Sequence, residues 1–115
     1  MEFYCVPSWT TCRKAQAWLV DHKAAFIYHD LLKEPPDLKE LKKLADIGSL
    51  SVRDLVNLKS QVFKKMDVDL DSMDEKSIAD LISENPRIMI RPLLNNGKKL
   101  WMGFKESAYQ DILKL

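Results

Sequence analysis

The residue in this sequence best placed to do chemistry is Cys12, in the stretch Pro7-Ser8-Trp9-Thr10-Thr11-Cys12-Arg13-Lys14-Ala15. An apolar run over Phe3–Val6 precedes it and a helical pattern over Ala15–Val20 follows, so the stretch spans a strand-to-helix turn. The partial positive charge at a helix N-terminus stabilises a thiolate, and a thiol there can titrate well below ~8.5. Arg13 and Lys14 add positive charge next to it. Redox turns of this geometry carry C-x-x-C, in which the first thiol attacks and the second resolves. Here Trp9 holds the first position. Cys12 is then a reactive thiol without its partner, or a small apolar residue on a buried helix stripe, because buried thiols without a positive neighbour are inert.

The other candidates carry two readings each. Cys5 reads as core of the first strand. A Cys5–Cys12 bridge needs Cα atoms about 4.4–6.8 Å apart, and it is not expected from one residue in mid-strand and one a turn into a helix with a loop between. Trp9 is a poor helix cap and costly to leave wet, so it needs a contact. That contact is its own chain around Pro92, or a partner surface, where tryptophans are enriched. Arg91 can hold an oxyanion at the helix N-terminus or pair with a surface carboxylate. Lys39, Lys42 and Lys43 read as a solvated helix face; with Lys64 and Lys65 they mark where an acidic partner would dock.

These residues need elements to hold them. Residues 2–6 read as a buried strand ended by Pro7, since proline cannot donate to a ladder. A helix follows over about 10–22, with Thr10 or Thr11 available as cap and Cys12, Ala15, Trp18, Leu19 and His22 along one stripe. Residues 24–29 are a second strand. After Pro35-Pro36, Asp37 caps a helix to about Asp46, with Leu38, Leu41, Leu44 and Ala45 inside and Gly48 as its stop. Ser51 with Asp54 opens a short helix, and 61–66 reads as another. Ser72-Met73-Asp74-Glu75 reads as a capping box for a helix with Ile78, Leu81 and Ile82 inside. Residues 87–94 and 98–102 read as strands joined by Asn95-Asn96-Gly97, a strong hairpin signal. The last helix covers about 105–113. The order β-α-β, helices, β-β-α predicts an α/β fold: a mixed four-stranded sheet with helices on both faces.

Composition narrows the function. A length of 115 residues fits one domain, 1–115, with a helical insertion at about 37–85. A net charge of +1 with interleaved signs gives no reason to expect direct nucleic-acid or membrane binding. No apolar run reaches the ~18–20 residues that span a bilayer, and Glu2 stands where a signal peptide would be basic. The expected location is the cytoplasm. Two cysteines are too few for a disulfide scaffold. His22 and His29 lack ligand spacing with them, so no metal site is expected.

The residues Pro7-Ser8, Cys12-Arg13-Lys14-Ala15, Trp18-Leu19, Val62-Phe63, Asn85-Pro86, Ile90-Arg91-Pro92-Leu93 and Gly103-Phe104-Lys105-Glu106 together make the whole chain resemble the ArsC/Spx family. This is the arsenate reductase-like branch of the thioredoxin fold. The resemblance implies that Pro92 is a cis-proline facing the thiol turn. It also implies that Trp9 occupies the position of the reductases' nucleophilic cysteine. Of the three arginines that cradle the oxyanion there, Arg91 matches one. Lys59 replaces the second, keeping charge but losing the bidentate fork, and Gly103 replaces the third. Arsenate reduction by the family's mechanism is therefore not expected. The first expectation is a divergent reductase-like thiol redox protein, with Cys12 forming a mixed disulfide with glutathione or glutaredoxin; Arg91 and Lys59 would hold an anion, and no cofactor is bound. The second is a non-catalytic, Spx-type transcriptional regulator that binds the C-terminal domain of the RNA polymerase α subunit.

Overall fold

The computed structural model describes residues 1–114. Four strands form one mixed sheet: β1 (Glu2–Cys5), β2 (Ile27–Asp30), β3 (Leu93–Asn95) and β4 (Leu100–Met102), in the spatial order β2-β1-β3-β4. β1 runs parallel to β2, while β1–β3 and β3–β4 are antiparallel. This is the thioredoxin-like arrangement, with a crossover helix between the parallel pair and a hairpin on the other side.

The alternation of side chains along β1 divides the interior into two halves. Phe3 and Cys5 face α1 (Thr10–Asp21) and the C-terminal segment, in a cluster with Cys12, Ala15, Trp18, Leu19, Leu94, Trp101 and Tyr109. Tyr4 and Val6 face the opposite layer, built mainly from α2 (Leu38–Ile47) and α4 (Glu75–Glu84). α2 buries Leu41, Leu44 and Ala45, and Asp37 caps it by accepting from Glu40 N–H at 2.9 Å. Such a cap contributes roughly 1 kcal/mol. Ser51 and Asp54 form a capping box on a single 3₁₀ turn, Val52–Leu55. α3 (Gln61–Met66) buries none of its side chains fully. The lysine face of α2 is tied down in part: Lys42 Nζ lies 3.2 Å from Glu75 and Lys43 Nζ 3.0 Å from Glu2.

Six local expectations are corrected. Trp9, not Thr10 or Thr11, occupies the cap position of α1, and it supplies no side-chain hydrogen bond. His22 lies outside the buried stripe: it is exposed, with its ring stacked on Trp18 at 3.9 Å. The second strand starts at Ile27, because Lys23 sits at φ 58° and Ala24–Phe26 are still returning from the helix end. α4 is capped by Asp74, whose carboxylate accepts from Ser77 N–H at 2.8 Å; Ser72 instead ends a 3₁₀ turn, Leu70–Ser72. The long strand expected over 87–94 is reduced to three residues. Pro86–Ile88 form a 3₁₀ turn, Met89 makes an isolated bridge to Val56, and only Leu93–Asn95 pair with β1. The last helix is a short α5 (Glu106–Tyr109) continued as a 3₁₀ turn over Gln110–Lys114. Among the described residues no helix is long and apolar enough to cross a membrane.

Candidate thiol site

The chain reverses sharply between β1 and α1. Trp9 N–H donates to the carbonyl of Val6 at 3.0 Å, so the link between strand and helix is a single tight turn. That reversal brings the third residue of α1 back beside the last residue of β1. Cys5 and Cys12 are joined as a disulfide with Cα atoms 5.8 Å apart, and neither residue exposes any surface. The expectation that this bridge would not form is overturned. Cys5 is not in mid-strand, because β1 ends on it, and the turn is shorter than the sequence pattern suggested. Val6 N–H points at Cys12 Sγ from 3.2 Å, a donor with no strand partner to take it. Cys12 is buried as its place on the stripe predicted. Cys5 is the residue that sequence reasoning set aside. The signal that could have found it was the four-residue spacer from Val6 to Trp9 after a strand closed by Pro7.

Above this pair lies the position the resemblance gives to the nucleophile. Trp9 is half-buried and packs against both halves of the interior. The Arg91 guanidinium carbon sits 3.7 Å from the centroid of its ring, well inside cation–π range. Arg91 also donates to the backbone carbonyl of Arg87 at 2.7 Å. Partial burial pulls the Arg91 pKa down from its ordinary value, and repulsion from Arg87 adds to the effect. Neither sequence reading of Arg91 included these two partners, an indole and a backbone carbonyl. The contact Trp9 required is thus met within the chain, next to Pro92.

The Arg91–Pro92 peptide bond is cis. Gly103 N–H donates to Pro92 O at 2.8 Å, so the first residue after β4 backs the proline directly. Gly103 sits at φ +77°, with nothing within 4 Å of where a Cβ would project. A side chain there would be limited by backbone conformation and not by space. Lys59 is exposed in the loop before α3; its backbone amide bonds Asn57 Oδ1 at 3.0 Å. Among the described residues no hydrogen bond or ion pair links Lys59 to Arg91 or Trp9. The structure brings together Cys5, Cys12, Trp9, Arg91, Pro92 and Gly103. Among the described residues no group of three or more His, Cys, Asp or Glu is arranged to hold a metal ion.

A cis-proline set against a strand-to-helix turn on a β-α-β/β-β-α sheet defines a thioredoxin-like thiol domain, here with an indole at its attacking position. The model of the ArsC family matches residues 4–112, and the chain belongs to that family. It is 34% identical over 113 residues to the global transcriptional regulator Spx 1 of Lactococcus lactis, covering 98% of this chain and 88% of that one. It is 36% identical over 107 residues to the global transcriptional regulator Spx of Streptococcus agalactiae, covering 93% of this chain and 78% of that one. Among solved structures, an ArsC family related protein from Bacteroides fragilis superposes with a TM-score of 0.80 at 26% identity, over 96% of this chain and 95% of that one.

Proposed function

We propose that this chain is a thiol redox protein of the ArsC/Spx family in which arsenate reduction has been lost and whose output is protein binding, as in the Spx regulators it resembles. The observation that carries the reading is the Arg91 guanidinium lying 3.7 Å over Trp9. A cradle for an oxyanion needs a nucleophile and cations facing an open space. Here the nucleophile position holds an indole, and the matching arginine lies against it. Lys59 offers one exposed charge and Gly103 none. The relatives named as regulators cover nearly the whole chain, which supports binding over catalysis. The partner of this reading is the C-terminal domain of the RNA polymerase α subunit, reached without direct contact to nucleic acid. Because neither cysteine exposes surface, glutathione or glutaredoxin is the thiol partner that reduces them when the turn over residues 7–9 opens.

Two measurements test it. In a pull-down with the purified α C-terminal domain, the chain is enriched over an unrelated thioredoxin; equal recovery of the two removes the regulator reading. In an arsenate assay with glutathione and glutaredoxin, turnover stays at the level of the blank. Sustained turnover would show that Trp9 and Arg91 move apart readily and that the closed arrangement does not block the reaction.

A further inference from the structure

We propose that Cys5 and Cys12 form a buried, reversible dithiol–disulfide couple that replaces the missing C-x-x-C as the redox element of this chain. The inference deepens the reading above by giving it a thiol input.

The two Cα atoms stand 5.8 Å apart, at the usual spacing for bridged cysteines. The pairing follows from backbone already fixed by other contacts. The Trp9 N–H to Val6 O bond closes the turn, and the strand register of Cys5 with Asp30 anchors the other end. Neither thiol has another cysteine to meet, because the chain contains two in all. Their environments differ. Cys12 lies in the first turn of α1, near the unpaired N–H groups of the helix start, and receives the Val6 N–H. Both features favour its thiolate. Both sulfurs lie in one apolar cluster, which favours protonated thiols, and of the two only Cys12 belongs to a helix start. Cys12 is therefore the attacking sulfur and Cys5 the resolving one.

The burial of both sulfurs selects the oxidant. A bulky disulfide cannot reach either sulfur unless the Pro7–Trp9 turn opens, whereas hydrogen peroxide is small and neutral. The Cys12 thiolate attacks one peroxide oxygen, the O–O bond breaks, and the leaving hydroxide takes up the proton the thiol has lost, giving one water and a sulfenic acid on Cys12. Cys5 sulfur then attacks Cys12 sulfur, the S–O bond breaks, and hydroxide departs with the Cys5 proton as a second water. Two electrons pass from the two sulfurs to the peroxide. A dithiol reductant reverses the bridge by returning two electrons and two protons. The bridge pins the start of α1 to the end of β1, directly under Trp9, so its state bears on the Trp9–Arg91 surface.

The test uses the full chain with no partner present. The protein is reduced, desalted, treated with hydrogen peroxide, then denatured and exposed to iodoacetamide before intact-mass measurement. The expected product is a monomer lighter by two hydrogens that takes up no alkyl group. It regains two alkylatable thiols after dithiothreitol. Cys5→Ser treated in the same way gives no intrachain bridge, and its Cys12 proceeds to sulfinic acid. Two alkylated thiols after peroxide, or bridges only between chains on a non-reducing gel, would overturn the proposal. Failure here leaves the polymerase pull-down untouched, and a chain that forms the bridge yet ignores the polymerase domain refutes only the regulator reading.

Discussion

Reducing the Cys5–Cys12 bridge should lower the melting temperature of this chain by an amount that follows from the loop it closes. The two cysteines lie 7 positions apart in the sequence. For a loop that short, the chain-entropy relation gives the bridge about 2.4 kcal/mol of stabilisation at room temperature. With about 2.1 cal/mol/K of unfolding entropy per residue over 115 residues, that loss corresponds to a drop of about 10 °C. The assay is a circular dichroism melt of peroxide-oxidised protein with and without dithiothreitol, with Cys12→Ala as control. The oxidised wild type should melt about 10 °C above the reduced form, and Cys12→Ala should show no response to reductant. A wild-type melt that reductant leaves in place would mean that the bridge is absent in solution, or that the short turn is already so restricted when unfolded that closing it adds nothing. Each of those outcomes refutes the loop argument.

Two further outcomes are expected. Arg91→Ala removes a cation–π contact and a charged hydrogen bond to Arg87 O, and should cost about 1–2 kcal/mol in denaturant unfolding. Lys59→Ala, at an exposed position, should stay within about 0.5 kcal/mol of wild type; equal losses from the two would refute the placement of Arg91 on Trp9. Glu2 is held below the usual carboxylate range, first by the hydrogen bond from Lys43. A depressed folded pKa stabilises the protein above the unfolded pKa, and the gain is lost as pH falls through the folded value. Thermal melts of Glu2→Gln should therefore converge with wild type at acid pH and fall below it towards neutrality; a constant gap across the range would exclude the linkage.

The elements legible in the sequence were those whose signals are local. The α1 stripe of Cys12, Ala15, Trp18 and Leu19 is buried as its spacing predicts, and Asp37 caps α2 at the position its side chain requires. The Asn-Gly turn joins two antiparallel strands, with Gly97 at φ +89°. What failed depends on chain path. Residues 87–92 carry an apolar pattern that suits a strand, yet Pro86 starts a 3₁₀ turn and the cis bond before Pro92 redirects the backbone, so pairing begins only at Leu93. The Cys5–Cys12 contact was missed for the same kind of reason. Burial of each cysteine could be read from period, but their distance depends on a turn closed by one hydrogen bond, Trp9 N–H to Val6 O. Arg91 was assigned by position, and position does not report that its partner is the aromatic ring across the turn.

The indole and the arginine are best understood as one coupled change. In the cradle that the resemblance implies, the charge of an arginine beside the thiol turn would be offset by a bound oxyanion. Remove the nucleophile and the third arginine, and a half-buried guanidinium is left with nothing to offset the loss of water. Its pKa is already drawn down by burial and by Arg87. The face of Trp9 supplies the missing negative potential, and the Arg87 carbonyl supplies the hydrogen bond. Restoring a cysteine by Trp9→Cys would therefore not restore the cradle. It would strip Arg91 of its partner, leave Lys59 without a bidentate fork, and leave Gly103 at a backbone angle that disfavours an arginine there. It would also set a third thiol near a pair that is already matched. On the reading proposed above, an oxyanion cradle would therefore need concerted substitutions at Trp9, Lys59 and Gly103.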